Sequence, residues 1–102
     1  MGTGQFFKKK KVGIWKNFDP DQDILTQESY ENDELNGPSR VYYKSGQISH
    51  ERHFKKGIEH GQHLEYFPNG KKKYEANFVD GYPDGKVTYY FENGKINIVG
   101  YY

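Results

Sequence analysis

The chain contains no cysteine, which excludes a disulfide framework and a thiolate zinc site together. It is poor in aliphatic residues, and no stretch approaches the apolar length needed to cross a bilayer. The opening residues, Met1 to Phe6, carry no hydrophobic signal-peptide segment, so the cytoplasm is the expected compartment. Phe6 also stands where a myristoylation signal would have Ser or Thr. A composition this polar would ordinarily suggest disorder. Ten Tyr, seven Phe and twelve Gly argue otherwise. An aromatic side chain buries a large area while its edge or hydroxyl stays near water, and regularly spaced glycines mark turns.

Net charge is +1 over 102 residues, a length that suits one domain. The charge is unevenly placed. Residues 1–18 carry Lys8, Lys9, Lys10, Lys11 and Lys16 and no acid. Residues 19–36 carry Asp19, Asp21, Asp23, Glu28, Glu31, Asp33 and Glu34 and no Lys or Arg. Blocks of this kind can steer a partner even when the total cannot.

A period of 24 residues runs through the chain. It relates Gly13, Gly37, Gly61 and Gly85; Gly46, Gly70 and Gly94; and Phe6, Tyr30, Phe54, Phe78 and Tyr102. The units are 13–36, 37–60, 61–84 and 85–102, preceded by a partial unit at 5–12. Each reads strand, turn, strand, turn, because aromatic and β-branched residues fill the stretches between Gly-containing turns. Lys44-Ser45-Gly46, Pro68-Asn69-Gly70 and Glu92-Asn93-Gly94 are read as three-residue loops, with Gly supplying the left-handed position. The first unit has Gln22 there, which predicts a longer or less regular turn. The loop length sets the register as Phe18 with Ile24, Tyr42 with Ile48, Leu64 with Tyr74 and Tyr90 with Ile96. By alternation, Tyr30, Phe54, Phe78 and Tyr102 then join the Ile column on one face. The expected fold is all-β: an elongated antiparallel meander of about nine strands, roughly 40 Å long at ~4.8 Å per strand.

Units of the form Gly-x-x-x-x-Tyr-Tyr/Phe-x-x-Gly-x-Ile-x-x-x-x-x-Phe-x-x-Gly-x-x-x-Gly resemble MORN repeats. The Tyr66 to Lys71 turn is similar to the bacterial variant found in YwqK-like antitoxin proteins. The resemblance spans residues 5–102. It implies a sheet of hairpins serving as a binding scaffold, and for the bacterial variant an antitoxin or immunity role against a co-encoded toxin. Eukaryotic relatives are linked to membrane or protein scaffolding. The first unit departs from the pattern, with Asp19, Asp21 and Gln22 in place of the aromatic and Gly, and reads as a specialised cap.

The face opposite the Ile column is expected to expose Trp15, Tyr43, Phe67, Tyr89 and Phe91, with Val41 and Val87 among them. Exposed aromatics rimmed by polar residues suit protein binding, although lysine stems packed over the rings would also explain them. Glu31 and Asp33, from the acidic block, are the charged candidates; the block could equally blunt edge-to-edge pairing. Alternation sends consecutive lysines of the Lys8–Lys11 run to opposite faces, which disfavours nucleic acid or membrane as the partner. His50 and His53, three apart in a strand, face opposite ways and form no zincin pair. Glu28 and Arg52 share a slot on the face assigned to the core, where they are expected to pair or to reach the rim. No catalytic order of residues, metal site or cofactor motif is found, so the chain is not read as an enzyme. The expected function is binding of a protein partner, in the manner of an antitoxin. The alternative is an assembly scaffold that joins copies through uncapped sheet ends.

Overall fold

The computed structural model describes residues 2–19 and 24–102, and in it these form one antiparallel sheet. Its strands are β1 (Gly2–Phe7), β2 (Lys10–Asp19), β3 (Ile24–Glu31), β4 (Glu34–Tyr42), β5 (Ile48–Lys55), β6 (Ile58–Glu59), β7 (Gly61–Tyr66), β8 (Lys72–Val79), β9 (Tyr82–Pro83), β10 (Lys86–Tyr90) and β11 (Ile96–Tyr101). The ladder runs β1-β2-β3-β4-β5-β7-β8-β10-β11, with β6 on β5 and β9 on β8. The result is a ribbon of 47 × 31 × 16 Å, a single layer of hairpins as the period requires.

Two kinds of turn alternate along its long edges. On one edge, residues 44–46, 68–70 and 92–94 form the expected three-residue loops. Gly46, Gly70 and Gly94 have φ of 93°, 86° and 90°, and each donates its N–H back to Tyr43, Phe67 or Phe91. On the other edge, two-residue turns put both central residues at positive φ, as a type I′ hairpin demands. They are Lys8-Lys9, Asn32-Asp33, Lys56-Gly57 and Asp80-Gly81, again 24 residues apart. Lys8 and Lys9 are thus a turn, and only Lys10 and Lys11 belong to a strand.

Both edges are stacked. Asp33, Gly57 and Gly81 donate N–H groups to the carbonyls of Lys11, Leu35 and Glu59, one turn earlier. On the loop edge, Asn69 Nδ2 donates to the Glu92 carbonyl at 3.0 Å and Lys71 Nζ to that of Asn93 at 3.3 Å.

Register departs from expectation in one respect with large consequences. The pairs next to each three-residue loop hold: Tyr42 with Ile48, Tyr66 with Lys72, Tyr90 with Ile96. One extra residue then enters β5, β8 and β11, so Leu64 faces Glu75, and Glu65 rather than Leu64 faces Tyr74. Such a bulge reverses every later side chain on the strand. Tyr30, Phe54 and Phe78 therefore lie on the face of Trp15, Val41 and Val87, away from Tyr42 and Ile48. The first hairpin lacks the bulge and pairs Phe18 with Leu25, not Ile24. The turn read around Gln22, with Asp21 and Asp23, lies outside the described residues.

Trp15, Leu64, Ala76 and Val87 are the buried apolar residues among those described, joined by Ser39, Ser49 and Thr88. Trp15, Ser39, His63 and Val87 share one slot of the repeat and form the floor of one face.

Candidate functional site

Of the aromatics expected to meet a partner, Trp15 does not reach the surface. It is only 7% exposed and donates its indole N–H to the Gln5 carbonyl at 3.1 Å. Phe6 and Tyr30 meet its ring edge-on at 4.8 and 6.3 Å, and the Lys11 ammonium lies 4.9 Å from the Trp15 ring and 4.9 Å from that of Tyr30. Alternation alone could not reveal this burial, because Phe6 and Lys11 arrive from a hairpin whose turn the lysine run concealed.

Tyr43, Phe67 and Phe91 do form a row. Each enters one of the three-residue loops, so the 24-residue period sets them side by side along the loop edge. Tyr43 is half-buried and donates its hydroxyl to the Tyr66 carbonyl at 2.8 Å, tying its loop to the next repeat. Phe67 is half-buried, with the Lys73 ammonium 5.8 Å from its ring. Phe91 is 49% and Tyr89 45% exposed, and Tyr89 leans on Tyr74 at 4.8 Å.

Glu31 and Asp33 stand on the opposite edge, at the Asn32-Asp33 turn. Glu31 accepts from Asn36 Nδ2 at 3.1 Å, and Asp33 accepts the Lys11 backbone N–H. Strand β4 separates the two edges by roughly 26 Å at ~3.3 Å per residue. The candidates therefore form an aromatic edge and an acidic edge rather than one patch.

A polar network missing from the sequence reading crosses the floor. His63 Nδ1 lies 2.6 Å from Glu59 and Nε2 3.0 Å from Glu65, while the ring stacks on Phe78 and meets Tyr74 edge-on. Glu65 also reaches His50 Nε2 at 3.6 Å. Burial lowers the pKa of His50, opposed by Glu65 and reinforced by Arg52, His63 and Lys73. The signal was legible in part: residues 63 and 65 share a face by alternation. Among the described residues no cluster of His, Asp and Glu is arranged to hold a metal.

The charged residues placed at core slots are accommodated individually. Glu28 accepts the Tyr30 hydroxyl at 3.2 Å, and the Arg52 guanidinium covers the Phe54 ring at 5.5 Å, so the two are not each other's partners. Lys72, which interrupts the Ile column, pairs with Glu75 at 3.0 Å.

A thin ribbon of stacked hairpins with laterally repeated aromatic positions defines a β-hairpin repeat module. The sequence pattern of the MORN repeat variant matches residues 35–56, 59–80 and 83–102, and the chain belongs to that family. Modules of this family generally bind or scaffold proteins, and it is not an enzyme family. No curated protein matches the chain.

Proposed function

We propose that this MORN repeat module is an antitoxin- or immunity-like protein that sequesters a specific protein partner, a toxin encoded beside it. The observation that carries the reading is the loop-edge row of Tyr43, Phe67 and Phe91 with Tyr89 beside it. Rigid, partly exposed aromatics are the commonest anchors of protein interfaces. Glu31 and Asp33 add negative charge at the far edge, which speeds encounter with a basic toxin. Their separation means that a partner engaging both covers the width of the ribbon.

Titration calorimetry against the product of the adjacent open reading frame tests this. Phe67→Ala with Phe91→Ala should weaken binding about a hundredfold. Glu31→Lys with Asp33→Lys should slow association and remove its salt dependence. Unchanged affinity and kinetics in both pairs of variants would rule out these surfaces.

A second reading, an assembly scaffold, is favoured by β11, where Ile96, Ile98 and Tyr101 are 56%, 58% and 75% exposed. It expects particle size to grow with concentration in light scattering; a constant monomer counts against it.

A further inference from the structure

The ladder stops at the outer edge of β11, and the pairing with β10 fixes which backbone groups that edge presents. Tyr102 exchanges both backbone hydrogen bonds with Gly85, at 3.0 and 3.2 Å. Hydrogen-bonded and non-bonded pairs alternate in an antiparallel ladder, so Gly100 opposite Val87 and Ile98 opposite Tyr89 also turn inward. The N–H and C=O groups of Val99 and Tyr101 therefore point away from β10, on a side where no described strand lies. The register shift between Tyr89 and Tyr90 interrupts the ladder before Ile98. The regular edge is thus the short run from Ile98 to Tyr102.

This run carries none of the devices that blunt a free strand. Residues 96–102 include no charged residue and no proline, and Ile98, Val99, Tyr101 and Tyr102 are all exposed. At the other end of the ribbon, β1 has glycine at positions 2 and 4 and a register shift between Thr3 and Gln5, which weaken it as a template.

Strand direction then selects the occupant. The main ladder has nine strands, each antiparallel to its neighbours, so β1 and β11 run the same way. Adding β1 of a second copy to β11 with the faces kept would make a parallel pair, unlike any other in the sheet. Adding β11 to β11 about a two-fold axis perpendicular to the sheet makes an antiparallel one. The regular run is centred on Gly100, which falls on that axis. Val99 then faces Tyr101 of the second copy, with both edge-facing groups of each residue satisfied. Ile98 faces Tyr102 of the second copy on the other side of the sheet. Each is a β-branched residue against an aromatic ring, the kind of cross-strand pair that strengthens a sheet.

We propose that two copies of this chain join through β11 as a closed two-fold dimer, with Val99 of each paired to Tyr101 of the other. This rests on the scaffold reading, in which copies join through sheet ends, and it limits the assembly to two. Rotation about the axis exchanges the loop edge and the turn edge. Each long side of the dimer therefore carries the aromatic row of one copy and the acidic turn of the other. So short a pairing is smaller than a standard interface, which sets dissociation on the order of 10–100 µM.

Sedimentation velocity of the 102-residue chain at rising concentration reads the assembly, and single cysteines read the register, since the chain has no thiol of its own. The expected result is a monomer and a dimer with nothing larger. Gly100→Cys places its β-carbon where nothing lies within 4 Å, so it leaves the monomer undisturbed. Diamide should cross-link it, because α-carbons about 4.5 Å apart on the axis are within disulfide reach. Ile98→Cys should not cross-link, since its two copies stand four residues, roughly 13 Å, apart along the strands. Tyr101→Lys, at an exposed position, should weaken dimerisation at least about tenfold. Species growing past the dimer would overturn the two-fold arrangement and leave the scaffold reading standing, whereas a monomer at every concentration would overturn both. A dimer that Tyr101→Lys leaves intact, or that Ile98→Cys links as readily as Gly100→Cys, would overturn the proposed pairing.

Discussion

The Trp15 indole fills the space that a side chain at position 4 would need: a β-carbon on Gly4 would lie 2.3 Å from its ring. That glycine brings β1 close enough for Phe6 to meet the ring and for Gln5 to accept the indole N–H. Gly4→Ala must push the indole out or lift β1 away, at a cost of about 1–3 kcal/mol. Trp15 is the sole tryptophan, so its emission reports the event directly. Chemical unfolding should show a lower midpoint and the folded protein a red-shifted spectrum. An unshifted spectrum would mean that the ring does not depend on Gly4.

His63 holds two carboxylates at once, Glu59 and Glu65, each largely covered by neighbours. The same slot in the next repeat carries Val87, so the backbone there accepts an apolar side chain. His63→Val should nevertheless destabilise the protein by about 1–3 kcal/mol, because it removes the polar ring from between two partly buried carboxylates and leaves their contacts with it unmade. Adding Glu59→Gln and Glu65→Gln should recover part of the loss. Urea titration of the two variants at neutral pH decides; equal stability would show that the imidazole only fills space.

The family and the hairpin ladder were legible because a 24-residue period fixes which residues stack, and each Gly-containing loop announces its length. The lateral alignment of Tyr43, Phe67 and Phe91 was legible for the same reason, although Tyr43 and Phe67 are half-buried where exposure was expected. What the period does not carry is the parity on the far side of a bulge. Lys73 in the third unit reads like any strand residue, yet one extra position beside the loop moves Phe78 to the other face. The burial of Trp15 was hidden differently. The Lys8-Lys9 turn has neither Gly nor Asn, so nothing in it announced a hairpin.

That turn carries a prediction of its own. Lys9 and Asp33 sit at φ of 66° and 67°, where the equivalent residues of the later turns are Gly57 and Gly81. A side chain in this region costs about 1–2 kcal/mol, partly offset because glycine gains freedom in the unfolded chain. Lys9→Gly should therefore stabilise the protein by about 0.5–1 kcal/mol. Asp33→Gly should gain less, since it deletes the carboxylate that accepts the Lys11 N–H. Thermal unfolding of the two variants side by side checks the order; the reverse order would deny that hydrogen bond any weight.

His50 makes stability depend on pH. Burial holds its pKa below the ordinary 6.5, so the unfolded chain binds the proton more tightly than the folded one. The stability associated with neutral His50 is present above that ordinary value and is lost as pH falls below it. Glu65, 3.6 Å from Nε2, moderates the loss by favouring the charged ring, while Arg52, His63 and Lys73 deepen it. The Ser49 hydroxyl lies 2.7 Å from Nδ1 and completes the surroundings. The same slot carries Tyr74 in the next repeat, so His50→Tyr keeps an aromatic ring in place and removes the titration. Urea midpoints measured between about pH 7.5 and 5 should fall more steeply for the parent than for the variant. Parallel curves would assign the acid sensitivity to another group.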